Sequence, residues 1–75
     1  MSKLPRLTAA ELIKFLLKSG YILARQEGSH KIYRHSVYGR ATVPNHAGKI
    51  IHPKIVKEIM VSMGLTLDKF LNVLN

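Results

Sequence analysis

Between Gly28 and Val37 the chain reads Gly-Ser-His-Lys-Ile-Tyr-Arg-His-Ser-Val, and this run holds the side chains best suited to chemistry. His30 follows two small residues, Gly28 and Ser29, that let a ligand come close to the backbone, and Arg25, Lys31 and Arg34 stand near it in the chain. An imidazole takes or gives a proton near neutral pH, its unperturbed pKa being about 6.5. Arginine and lysine give charge-assisted hydrogen bonds to phosphate oxygens. Together these groups suit acid-base work on a phosphate ester. RNA carries its own nucleophile, the ribose 2′-hydroxyl, so its cleavage needs only a base, an acid for the leaving oxygen and positive charge on the crowded phosphate. DNA lacks that hydroxyl, and a single histidine among cations therefore points to RNA.

The acidic residues are Glu11, Glu27, Glu58 and Asp68. With Glu11 engaged as a helix cap they offer no carboxylate cluster for a two-metal nuclease. The four histidines, at 30, 35, 46 and 52, match no zinc spacing and have no cysteine beside them. Neither a metal nor any other cofactor is expected. His46 is the first candidate for a second proton-transfer group, whereas His35 and His52 read as a strand end and a helix start. Any one of Arg25, Lys31, Arg34 and Arg40 is more simply the solvated side of a sheet; their collective surplus carries the argument.

That surplus is large. Twelve Lys and Arg against 4 Asp and Glu give a net charge of +8, with a pI near 10.2. On so small a body this creates a field that attracts polyanions, nucleic acid above all, although an acidic protein or an anionic surface would also respond to it. The charges are spread along the chain, which excludes a disordered basic arm. Seventy-five residues make one domain, spanning 1–75, that buries only about 60% of the surface its unfolded chain exposes. There is no signal-like apolar run and no stretch of roughly 18 apolar residues, so no membrane association is expected. The absence of cysteine fits a reducing compartment, and a cytoplasmic location is the default expectation.

The elements that must position these residues follow from their patterns. Thr8 and Glu11 stand three apart as a capping box at the start of a first helix, whose apolar residues Ala9, Leu12, Ile13, Phe15, Leu16 and Leu17 recur at helical spacing. Gly20 ends it as a left-handed cap. Tyr21 to Gln26 reads as a strand, Glu27-Gly28-Ser29 as a turn and His30 to His35 as a second strand. With Tyr33 packed inward, His30, Ile32 and Arg34 share the opposite, exposed face, and His30 and Arg34 are expected side by side, about 6.5–7 Å apart. A bulge at the turn would reverse that parity. Ser36 to Gly39 is a tight connection to a third strand, Arg40 to Val43, closed by Pro44. Asn45 to His52 is a loop; Pro53 opens a second helix with the stripe Ile55, Val56, Ile59, Met60 and Met63. Gly64 caps that helix, and Thr66 starts a last one through Leu74, which either completes the core or meets a partner. The order predicts an α+β sandwich: helix, three-stranded antiparallel sheet, helix, and a short C-terminal helix.

Gly28-Ser29-His30-Lys31-Ile32-Tyr33-Arg34-His35, followed by Val43-Pro44-Asn45-His46-Ala47-Gly48 and Pro53, resembles the HicA (YcfA-like) toxins of bacterial and archaeal toxin-antitoxin pairs. The likeness runs from Thr8 to Leu74. It implies a double-stranded-RNA-binding-domain-like fold, ribosome-independent cleavage of mRNA, and inhibition by a cognate HicB-type antitoxin; that the cleavage is metal-independent is what the lack of a carboxylate cluster leaves. It also assigns the catalytic role to the histidine of Gly-Ser-His, here His30. Around it, Arg25, Gly28, Ser29, Lys31, Arg34 and His46 are the expected RNA- and phosphate-binding residues. One departure lies at Ser36-Val37-Tyr38-Gly39, where many relatives carry a Pro-Asp-Gly-like turn. Two other readings share the charge: a non-catalytic RNA-binding module, and an antitoxin-bound co-regulator that acts through protein contacts alone.

Overall fold

The computed structural model describes residues 4–45 and 48–74. Its elements run α1 (Ala9–Lys18), β1 (Ile22–Glu27), β2 (His30–His35), β3 (Gly39–Pro44), α2 (Pro53–Ser62) and α3 (Leu67–Leu74). The strands form one antiparallel sheet in the order β1-β2-β3, so the double-stranded-RNA-binding-domain-like α+β architecture expected from the sequence is what the chain adopts.

Each helix ends where its residues dictate. At the start of α1 the Thr8 amide donates to Glu11 Oε1 at 2.9 Å and the Glu11 amide donates back to Thr8 Oγ1 at 3.3 Å, which completes the capping box. These bonds hold the Glu11 carboxyl below the usual carboxylate range. At the far end Gly20, at φ +99°, lets its own amide reach Leu17 O and the Tyr21 amide reach Leu16 O, the paired bonds of a Schellman ending. Gly64 and Leu65 repeat that arrangement after α2, bonding to Val61 O and Met60 O. Pro53 opens α2 behind His52, whose Nδ1 accepts the Lys54 amide at 3.0 Å; His52 is therefore the helix cap. Thr66 Oγ1 accepts the Lys69 amide and starts α3.

The core lies between the helices and the inner face of β2 and β3. Leu12, Phe15 and Leu16 of α1 meet Val56 and Ile59 of α2 over Tyr33, Ala41 and Val43 of the sheet, and Phe70 of α3 closes the end with its ring edge-on to Phe15 at 4.7 Å. Burial pushes the Tyr33 phenol up in pKa. The apolar pattern misleads at two places. Leu17 is exposed although it continues the run of α1, and β1 is exposed along its whole length, Ile22 and Leu23 included. The helices lean over β3 and leave β1 at the rim.

The departure at Ser36–Gly39 has a local explanation in His35. Its Nδ1 accepts the amides of Val37 at 2.9 Å and Tyr38 at 3.3 Å, the service an aspartate renders in a tight turn. The ring is held by Tyr21 and Tyr38, at centroid distances of 5.1 and 4.4 Å. His35 builds the turn, as its place at a strand end suggested.

Candidate RNA-cleavage site

His30 is the first residue of β2 and is exposed. The turn before it consists of Gly28 and Ser29 alone, with Gly28 at φ +58° and Ser29 at negative φ, the pattern of a type II′ hairpin turn, in which the first central position favours glycine. A Cβ on Gly28 would meet nothing within 4 Å. The Ser29 carbonyl accepts the Asn45 amide at 2.6 Å, which ties the end of β3 to this turn.

The sheet register sorts the candidate residues. Tyr33 is buried, so alternation turns His30, Ile32 and Arg34 to the outer face and Lys31 to the inner one, where it is half-buried between Gln26 and Val43. Lys31 is thus brought to the face away from His30. Across the outer face run three rows of partners: Glu27–His30–Pro44, Arg25–Ile32–Thr42 and Ile22–Arg34–Arg40. His30 and Arg34 share the face, but the expected spacing of 6.5–7 Å is corrected. Ile32 stands between them, and four residues of strand rise are about 13 Å.

The parity of β2 survives because the bulge falls in β1. The register shifts between Leu23 and Arg25, with Ala24 as the extra residue. Without that shift Arg25 and Glu27 would point inward; with it both join His30. Glu27 lies directly opposite His30, and Arg25 Nη2 holds both its carboxylate oxygens, at 2.6 and 2.9 Å. Arg25 is therefore engaged with Glu27 rather than standing free.

Two residues of this face went unrecognised in the sequence. Glu27 read only as turn, although a residue three before His30 across a two-residue hairpin must face it. Arg40 read as solvated surface, yet it pairs directly with Arg34, and two like charges so placed oppose each other unless an anion lies between them. Beside them a groove of about 430 Å³ runs between β3 and α2, lined by His30, Arg40, Thr42, Glu58, Ile59 and Ser62. His46 lies outside the described residues. Among the described residues no three His, Asp or Glu side chains are grouped so as to hold a metal ion. Among the described residues no helix is long and apolar enough to cross a membrane.

Comparison with known proteins adds one finding. A family described as the HicA toxin of bacterial toxin-antitoxin systems matches residues 9–65, from the first residue of α1 to just beyond α2. No curated protein matches the chain at a significant level.

Proposed function

The chain belongs to the HicA family of toxins from bacterial toxin-antitoxin systems, and from that premise we propose that it is a metal-independent endoribonuclease that cuts mRNA at His30 without the ribosome. It works in the cytoplasm as a single domain and is silenced by a HicB-type antitoxin. The observation that carries this reading is the exposed imidazole of His30 at the head of β2, on the face that also presents Arg34 and Arg40.

The chemistry follows from that arrangement. The ribose 2′-hydroxyl attacks the neighbouring phosphorus, and the bond to the leaving 5′ oxygen breaks. His30 takes the proton from the first oxygen or supplies one to the second. Arg34 and Arg40, two rows along the strand from His30, hold oxygens of a neighbouring phosphate of the same RNA, and binding there relieves their mutual repulsion. Glu27, held by Arg25, is the cross-strand neighbour of His30, and a hydrogen bond from one ring N–H of His30 to its carboxylate on substrate binding would fix which nitrogen faces the substrate. It is a positioning residue in this scheme. Gly28 and Ser29 leave the approach to His30 uncrowded.

Cleavage of a defined single-stranded RNA in the presence of chelator tests the proposal. Wild type should cut, and His30→Ala should lose activity by about 10²-fold or more while keeping its circular dichroism spectrum. An equally active His30→Ala protein would refute the assignment. RNA binding without any cleavage by the wild type would favour the non-catalytic module instead.

A further inference from the structure

The groove between β3 and α2 carries a carboxylate, Glu58, on its helix wall. We infer that this groove seats a base next to the scissile phosphate and that Glu58 selects guanine there, an assignment that rests on the nuclease reading of His30.

The groove's volume of about 430 Å³ falls in the range of roughly 300–1,000 Å³ that small ligands occupy. Its sheet side carries His30, Arg40 and Thr42, and its helix side carries Glu58, Ile59 and Ser62. Of the charged side chains that line the groove itself, Arg40, paired with Arg34, attracts phosphate and the Glu58 carboxylate does not, while Lys54 and Lys57 line a neighbouring hollow of α2 beside Glu58; a strand laid beside His30 that runs its phosphates along the arginines turns its base toward Glu58. Ile59 supplies an apolar surface for the face of a base. The Ser62 hydroxyl already donates to the Glu58 carbonyl at 2.9 Å, which leaves it to act as an acceptor. Among the described residues the Glu58 carboxylate takes part in no ion pair or hydrogen bond.

An ionised carboxylate only accepts hydrogen bonds. Single-stranded RNA exposes its Watson–Crick edges to proteins, and guanine alone presents two adjacent donors there, N1–H and the N2 amino group. Adenine and cytosine set one donor beside one acceptor, and uracil flanks its single donor with acceptors. A side chain with two acceptor oxygens therefore matches guanine and leaves an unpaired or repulsive contact with the others. In a chain of net charge +8 with only 4 acidic residues, a carboxylate on the wall of the groove that His30 lines is a costly choice for an RNA-binding face unless it reads a base.

Two measurements on the full chain test this inference. In the first, RNAs that differ only in the base flanking a fixed scissile bond are cut by wild type and by Glu58→Gln. In the second, guanosine 3′- and 5′-monophosphates and their uridine counterparts are titrated into both proteins and followed by backbone amide NMR. Wild type should prefer guanine by about tenfold or more, and guanosine monophosphate should shift the amides of Arg40–Thr42 and Glu58–Ser62. Glu58→Gln should lose both effects and rank adenine or cytosine first, since a carboxamide pairs one donor with one acceptor. A guanine preference that survives Glu58→Gln overturns the inference, as do equal shifts from guanosine and uridine monophosphates. Should the wild type cut no RNA while guanosine monophosphate still shifts the groove in a Glu58-dependent way, the nuclease reading falls and the base site stands.

Discussion

Truncating Phe70 to alanine measures whether α3 belongs to the domain or merely hangs from it. Phe70 is wholly buried, and its ring meets that of Phe15 at 4.7 Å with an interplanar angle of 65°, the edge-to-face geometry that aromatic pairs favour. Removing a buried phenylalanine costs about 3–5 kcal/mol, of which roughly 0.5–1.5 belongs to the ring pair. A domain of 75 residues at about 0.05–0.15 kcal/mol per residue has some 4–11 kcal/mol in total. Phe70→Ala should therefore remove from about a quarter to all of the stability, although Phe70 lies in the last helix. Urea unfolding followed by circular dichroism on wild type and Phe70→Ala gives the loss, and the milder Phe15→Leu, Phe70→Leu and their double variant, which remove the ring pair at smaller cost, give the coupling, expected near about 1 kcal/mol. A loss for Phe70→Ala below about 1 kcal/mol, within the range of ordinary surface changes, would show that α3 does not complete the core.

Two further outcomes test the local reasoning. Glu11 has a folded-state pKa below its usual value because Thr8 bonds its carboxylate, so its contribution to stability is present above the unfolded pKa and disappears as pH falls through the folded one. Glu11→Gln should accordingly lower stability at neutral pH and flatten its fall under acid; parallel acid-unfolding curves for the two proteins would contradict the capping account. Gly20→Ala and Gly28→Ala each force a side chain into positive φ, at a cost of about 1–2 kcal/mol. Only at Gly20 would the new Cβ also crowd a neighbour, lying 3.2 Å from Nε2 of His35. Gly20→Ala should thus lower the urea midpoint further than Gly28→Ala, and the reverse order would refute the packing argument.

The fold was legible because its signals are local and redundant. A capping box at Thr8, glycines after two helices, Pro53 behind a capping residue and Pro44 at a strand end each fix a boundary without knowledge of the rest. The parity of β2 is not legible in this way, since Ile32 and Tyr33 point to opposite faces; placing Tyr33 inward follows from leaving His30 and Arg34 exposed, and the burial of Tyr33 bears it out. The candidate site was legible only along a single strand. What Glu27, Arg25 and Arg40 do is decided across strands, by a bulge at Ala24 and by the register of two hairpins. No residue type at position 24 announces that shift: alanine fits either an ordinary or a bulged strand. The spacing of His30 and Arg34 is a different case: four residues of strand rise with Ile32 between them are legible in the sequence, and about 6.5–7 Å corresponds to a rise of only two. The exposure of β1 was hidden for a further reason, because apolar strand residues look alike whether or not a helix covers them.

The two faces of the sheet answer to different demands. On the inner face Tyr33, Ala41 and Val43 are what packing under α1 and α2 requires, and a polar residue at any of them would be buried without a partner. On the outer face packing demands nothing, yet the residues there are far from neutral. Two arginines face each other across β2 and β3, and a histidine opens the strand beside a two-residue turn. Foldability alone would replace one arginine of that pair by threonine or glutamate and lose nothing. Their presence side by side, on the face that carries the exposed imidazole, is what the proposed nuclease requires: an anion between them would relieve their repulsion, and a phosphodiester bound there would lie along the same strand as His30. The inner face thus maintains the geometry, and the outer face carries the like charges that a bound polyanion would neutralise under the proposed function.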